Sequence, residues 1–240
     1  MPQSTVHLMR HGEVFNPEAI LYGRMPGFGL SRRGRRMTER VGEVLHSGGH
    51  DIRAVVASPL ERAQESAAPT AEAFGLPVLT NDDLVEAGNL FEGLAVNRNR
   101  LQLANPKYWP RYRNPFEPSW GEPYAEQVTR MSGAIRSALE LVPDGGEVLA
   151  VSHQLPIWVT RLFLERRPLA HDLRRRQCSL ASLTSLTFDG RRLVALTYWE
   201  PAGDLLHGAT DMNPGQSAAT VAGAETPEAA GAPEAAGAGE

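Results

Sequence analysis

The sequence predicts an α/β fold: a three-layer α/β/α sandwich built on a mostly parallel central sheet with an antiparallel edge strand. Three observations lead there. Strand-like and helix-like segments alternate from about residue 5 to residue 199. The short runs at 53–57 and 148–151 are apolar without alternation, as in strands covered on both faces. The last two strand candidates are joined by Asp189-Gly190, a two-residue hairpin signal.

Taken in order, residues 5–9 read as a first strand, in which His7 alternates with apolar neighbours and is expected to be a structural histidine. Met37, Val41, Val44 and Leu45 mark one face of a helix opening near Ser31. After the strand at 53–57, Ser58-Pro59-Leu60-Glu61 combines a capping serine, a first-turn proline and a glutamate three residues on, so a helix is expected to start there. Pro69 is expected to kink or end it. A short strand follows at 78–79; Val128, Met131, Ile135, Leu139 and Val142 then line a long helix. The strand at 148–151 leads through Ser152-His153-Gln154 into a helix entered near Pro156. The stripe 155–164, with Trp158 and Phe163, reads as core, with a dimer face as the alternative. Strands at 183–188 and 192–199 complete the order, and no internal repeat is visible.

Charge and composition narrow the function classes. The 240 residues carry 24 Lys+Arg against 28 Asp+Glu. From 217 to 240, 20 of 24 residues are Ala, Gly, Glu or Pro, so that stretch cannot offset the entropy of ordering it. The expected organisation is one domain over 1–205 and a disordered tail over 206–240. Without the tail's four Glu the body is formally neutral, which argues against a general nucleic-acid binder. One cysteine, Cys178, excludes an internal disulfide and a multi-cysteine metal site, and suits a reducing compartment. The first residues lack a secretion-signal pattern, and the most apolar stretch, 155–164, is broken by Arg161. The expectation is a cytoplasmic protein with no membrane partner.

Chemistry is concentrated at three strand ends. The first runs into Arg10-His11-Gly12-Glu13, the second into the helix bearing Arg62, and the one at 148–151 into His153. Ligands of open α/β folds bind outside the carboxyl ends of strands, so these residues should converge. Two arginines and two histidines suit a dianion, most simply a phosphoryl group, because guanidinium forks bind paired oxygens. Glycine at 12 permits close backbone approach or a positive φ. Flanking cations should keep His11 unprotonated, with a lone pair for attack on phosphorus, while His153 should hold a proton and stabilise the equatorial oxygens. Expelling an alkoxide also needs an acid. Glu86 is the candidate, with Glu13 and Glu92 as rivals. His46, His50, His171 and His207 show no metal spacing, so neither metal nor cofactor is assigned.

Residues 94–124 form an insertion. Its part from 106 to 124 holds five prolines and six of the chain's 16 aromatics, interleaved with Lys107, Arg111 and Arg113 and preceded by Arg98 and Arg100. That much apolar surface should pack down, either as a lid that sets leaving-group specificity, with Arg111 and Arg113 as contacts, or as an insertion on the sheet edge.

Beyond these residue-level readings, the chain resembles the histidine phosphatase, or phosphoglycerate mutase-like, superfamily over about residues 5–200. The signature is Leu8-Met9-Arg10-His11-Gly12-Glu13, followed in order by Leu30-Ser31 with Gly34, Ser58-Pro59-Leu60 with Arg62-Ala63, Gly121-Glu122 with Arg130, and Val151-Ser152-His153. The resemblance implies a phosphorylated His11, a phosphate pocket of Arg10, Arg62 and His153, and Glu86 as proton donor. It also offers Asn16 as a phosphate ligand. Many members have glycine where this chain has Gln154, a specificity candidate that could instead cap the next helix. Mutases of the family carry a tyrosine just after the acid glutamate and paired basic residues in the insertion; Ala87-Gly88-Asn89 and Arg111-Tyr112-Arg113 lack both. The expected function is therefore a phosphatase acting on a small phosphorylated metabolite. A phosphoglycerate mutase and a non-catalytic phospholigand-binding module are the alternatives, and a homodimer is left open.

Overall fold

The computed structural model describes residues 3–95, 105, 106, 108, 109 and 121–211. Six strands form a sheet of order β3-β2-β4-β1-β5-β6: β1 (Gln3–Arg10), β2 (Ile52–Ala57), β3 (Val78–Thr80), β4 (Gly146–Ser152), β5 (Leu183–Asp189) and β6 (Arg192–Trp199). The strands β1 to β4 run parallel; β5 is antiparallel to both β1 and β6. The β5–β6 turn holds Gly190 at φ 60°, as the Asp-Gly hairpin signal requires.

Two apolar layers enclose the sheet. On one face Met37, Val41 and Leu45 of α1 (Arg32–Ser47) and Ala63, Ala67 and Ala71 of α2 (Glu61–Phe74) pack on Met9, Val55, Leu149 and Val151. On the other, Met131, Ala134 and Ile135 of α3 (Tyr124–Glu140) and Ile157 of α4 (Gln154–Leu164) pack on Val6, Leu8, Val56 and Val148. This is the expected three-layer sandwich. The 155–164 stripe is mostly core, with Trp158 buried, but Phe163 faces solvent. Among the described residues no helix is long and apolar enough to cross a membrane.

Register places the chemistry. Arg10 pairs with Ser152 across β1 and β4, and Ala57 with Val151 across β2 and β4. The residues that follow, His11, His153 and Ser58, therefore leave neighbouring strands at the same carboxyl edge.

Three expectations are corrected. The second helix begins at Glu61 with Leu60 at its N-cap and no side-chain cap; Ser58 lies outside it, its hydroxyl turned to His153. Pro69 does not end the helix, since α2 runs to Phe74. Gly42 of α1 makes room there: a Cβ on it would lie 3.2 Å from the Pro69 carbonyl carbon. Finally, residues 206–211 fold back on the body, with Leu206 and Ala209 against the α1–α2 core and the His207 carbonyl accepting from Arg33 Nη1 at 2.7 Å.

Candidate active site

His11 follows β1 directly and is 2% exposed. Its Nδ1 lies 2.8 Å from the Gly12 carbonyl, an acceptor only, so Nδ1 carries the proton and Nε2 keeps the lone pair. Burial, then Arg62 and Arg10, hold its pKa well below the usual imidazole value. Gly12 is needed for close approach rather than for a positive φ: a Cβ there would lie 2.6 Å from the Gly34 carbonyl oxygen. Its N–H donates to Ser66 Oγ at 3.1 Å, tying the loop to α2.

His153 is fully buried at the N-cap of α4, its ring centroid 5.2 Å from that of His11. Its Nε2 lies 2.9 Å from Ser58 Oγ. His153 is expected to hold a proton; burial, Arg62 and His11 push its pKa well below normal, which favours the neutral ring over the charged one. A neutral ring can still donate. With the Ser58 hydroxyl donating to Nε2, the proton sits on Nδ1, which has no hydrogen-bond partner and lies 4.0 Å from Glu86 Oε2.

The arginines are buried in different company. Arg10 Nη1 and Nη2 grip the Asp211 carboxylate at 2.7 and 2.6 Å, and Nη1 also donates to the Cys178 carbonyl at 2.8 Å. Arg62 Nη2 donates to the Gly23 carbonyl at 2.6 Å, and its guanidinium lies 4.7 Å from the Tyr22 ring centroid. The Nε groups of Arg10 and Arg62 are buried without a hydrogen-bond partner. Three unpaired groups, Arg10 Nε, Arg62 Nε and His153 Nδ1, thus belong to the side chains that surround His11: the two guanidinium charges act on its ring and the His153 ring centroid is 5.2 Å away. Unpaired buried donors are costly and mark where an anion fits.

Glu86 joins this group. Its side chain is 18% exposed, its Oε1 accepts from the Ala87 N–H at 2.8 Å, and burial raises its pKa against the opposing influence of Arg62, Arg10 and Arg176. Its loop is fixed by arginine. Arg130 Nη1 donates to the carbonyls of Asp83 and Val85 at 2.6 and 2.7 Å, Arg24 Nε donates to that of Glu86 at 2.6 Å, and Glu122 pairs with both arginines. The Gly121-Glu122 and Arg130 landmarks thereby acquire a physical role. Of the rival acids, Glu13 is engaged by the Ser31 hydroxyl and the Thr210 N–H, whereas Glu92 accepts from the Asn89 N–H at 3.3 Å and lies behind Gly23, close enough for its charge to act on Arg62.

Other candidates lie differently. The Asn16 amide exchanges hydrogen bonds with the Ile20 backbone at 2.8 and 3.0 Å, clasping its own loop. Gln154 is buried between the Cys178 carbonyl, 3.4 Å from its Nε2, and Arg176 Nη1, 3.1 Å from its Oε1. Arg111 and Arg113 lie outside the described residues; of the insertion's aromatics, Tyr108 is buried edge-on to Phe91. His7 is a structural histidine, bonded to Ser185 Oγ at 2.7 Å and Glu147 Oε2 at 3.0 Å. His50, also on Glu147 Oε2 at 2.7 Å, brings a His-His-Glu set within 4.8 Å, which sequence spacing did not reveal. Sequence reasoning also missed Tyr22, Arg176 and Asp211. No motif marks them.

The arrangement, a neutral imidazole at a strand end beside the partly unpaired guanidiniums of Arg10 and Arg62, is the chemistry of an anion site in an α/β protein. Similarity to known proteins specifies which: the profile of the histidine phosphatase superfamily (branch 1) matches residues 6–200, and the chain belongs to that family. It is 51% identical over 203 residues to "Uncharacterized protein Rv0525" of Mycobacterium tuberculosis strain H37Rv, covering 84% of this chain and 99% of that one. It is 32% identical over 213 residues to "Probable phosphoglycerate mutase GpmB" of Yersinia enterocolitica, covering 84% and 94%. Similar solved structures include Bacillus stearothermophilus YhfR, with a TM-score of 0.67, 22% identity and coverage of 87% and 98%. Another is the mycobacterial glucosyl-3-phosphoglycerate phosphatase Rv2419c, with a TM-score of 0.65, 22% identity and coverage of 82% and 99%. These two likenesses establish the shared fold.

Proposed function

We propose that the protein is a phosphatase that hydrolyses a small phosphomonoester through a phosphohistidine on His11. One observation carries this reading: His11 Nε2 keeps its lone pair while the nearby Arg10 Nε, Arg62 Nε and His153 Nδ1 have no partner. In the first step the Nε2 lone pair forms an N–P bond as the ester P–O bond breaks. The ester oxygen leaves with that electron pair and takes the proton of Glu86. In the second, water attacks phosphorus, Glu86 accepts its proton, the N–P pair returns to Nε2, and inorganic phosphate departs. Arg10, Arg62 and His153 supply donors to the equatorial oxygens throughout.

A mutase differs only in the second acceptor, a substrate hydroxyl in place of water, and the similarity to the protein named GpmB keeps that reading in the test. Incubation with a panel of phosphorylated metabolites, assayed for inorganic phosphate and for positional isomers, separates the two. Phosphate release that His11→Ala abolishes supports the phosphatase; interconversion of 2- and 3-phosphoglycerate without net release overturns it. Tight phosphate binding without turnover indicates a binding module.

A further inference from the structure

Among the cations of the site, Arg176 has no role in the chemistry above. It is 5% exposed, although its neighbours Arg174 and Arg175 are exposed. Its partners are neutral: Nε donates to His171 Nε2 at 2.9 Å, and Nη1 to Gln154 Oε1 at 3.1 Å. His171 Nδ1 in turn lies 2.6 Å from the Leu169 carbonyl, so it is Nδ1 that carries the proton and Nε2 that accepts. Among the described residues no carboxylate contacts Arg176. Burying a guanidinium with no carboxylate in contact is costly, and in a binding site the ligand commonly supplies the balancing charge.

Its position says which part of a ligand would do so. Gln154 joins Arg176 to the Cys178 carbonyl, the same oxygen that Arg10 Nη1 contacts, so one side chain separates Arg176 from the phosphoryl pocket. The charge of Arg176 acts on Glu86, the acid that must face the ester oxygen. A cation within electrostatic reach of the acid, and joined to the Arg10 side of the cup only through Gln154, is placed to meet a leaving group rather than the phosphoryl oxygens.

We infer that Arg176, held by Gln154 and His171, is a second anion subsite, and that the preferred substrate is a phosphomonoester whose leaving group carries a carboxylate or another anion. This rests on the phosphatase reading for its chemistry but not for its binding. The amide and imidazole partners take one N–H each of Nη1 and Nε, leaving Nη2 and the second N–H of Nη1 for a fork-like contact with an oxyanion. On this reading Gln154 orients the guanidinium rather than touching substrate.

Binding of phosphonoacetate and methylphosphonate, two non-hydrolysable probes differing in one carboxylate, tests the subsite by titration calorimetry on the full chain. The wild type should bind phosphonoacetate at least about 10-fold more tightly, as expected of one charge-assisted contact. Arg176→Gln should bring that ratio close to one, and Arg176→Lys, which keeps the charge but loses the fork, should leave an intermediate ratio. Equal wild-type affinity for the two probes overturns the subsite without recourse to any variant. So does an unchanged ratio in Arg176→Gln, or an equal loss for both probes in both variants. Intact discrimination without turnover of any ester would leave the subsite standing and reject the phosphatase; turnover without discrimination would do the reverse.

Discussion

The proposed role of Glu86 as proton donor can be tested through its dependence on the leaving group. Glu86→Gln keeps shape and one oxygen, so the bond from the Ala87 N–H, 2.8 Å in the native chain, can persist while the transferable proton is lost. A positioned general acid contributes roughly 10²–10⁴-fold, or about 2.7–5.4 kcal/mol at 1.36 kcal/mol per decade. Alkyl phosphates should lose activity over that range, because their alkoxide cannot leave unprotonated. A nitrophenyl ester, whose phenolate leaves readily, should lose roughly 10-fold or less. The structure fixes the pH signature too. Burial already raises Glu86, and a bound phosphoryl dianion would offset the Arg62 and Arg10 charges that oppose the rise. In the wild type, kcat for the alkyl ester should therefore fall as pH climbs through this elevated pKa of the substrate complex, and Glu86→Gln should abolish that limb. An equal loss on both esters, or an alkaline limb that survives the substitution, would transfer the acid's role to another group.

Three further outcomes are expected. His11 and His153 have folded pKa values well below the unfolded value of about 6.5, so each takes up a proton on unfolding. Stability in denaturant should thus fall below pH 6.5 by up to about 2.7 kcal/mol per unit, less the opposing contribution of Glu86 where its raised pKa applies; a flat profile from pH 6.5 to 5.5 would contradict the neutral, buried imidazoles. Gly34→Ala places a Cβ 2.0 Å from the Glu13 carbonyl oxygen, backbone against backbone, so overpacking near about 3 kcal/mol should outweigh the ~1 kcal/mol helix gain of alanine and lower Tm. Asp211→Asn withdraws a charge from the fork of Arg10, and inorganic phosphate should then inhibit at a lower concentration; weaker inhibition would make Asp211 a prop for Arg10 instead.

The cup is legible in the sequence because each member follows a strand, and parallel topology brings strand ends together. Arg10, His11, Arg62 and His153 need only chain order. Ser58 misleads because a serine before proline with glutamate behind it satisfies every local rule for a cap, and only the tertiary fold offers it an imidazole. Pro69 is similar: the local cost of a helical proline is outweighed by α1–α2 packing that Gly42 permits. Arg176 is hidden in Arg174-Arg175-Arg176, which reads as a solvated cluster. The Arg174 side chain is 88% exposed while Arg176 is 5% exposed, and no pattern in three identical residues distinguishes them. Asp211 lies in a segment whose composition blends into the tail.

The three buried guanidiniums differ in how their charge is met, and the differences follow a functional order. Arg10 has a full carboxylate, and that carboxylate outweighs the burial that disfavours its charge. Arg62 has a carbonyl and the face of Tyr22, and burial lowers its pKa. Arg176 has an amide and an imidazole, and is lowered likewise, first by burial. If all three were neutralised internally, the pocket would be stable and would attract an anion only weakly; if none were, its burial would be prohibitive. The fold resolves this by anchoring Arg10 and Arg62 at their terminal nitrogens while the Nε of each stays unpaired. The bonds that hold these cations in place are therefore not the bonds an anion would use. In the phosphoryl transfer proposed above, donors fixed beforehand would need no reorganisation as charge develops on phosphorus, and electrostatic catalysis depends on that property.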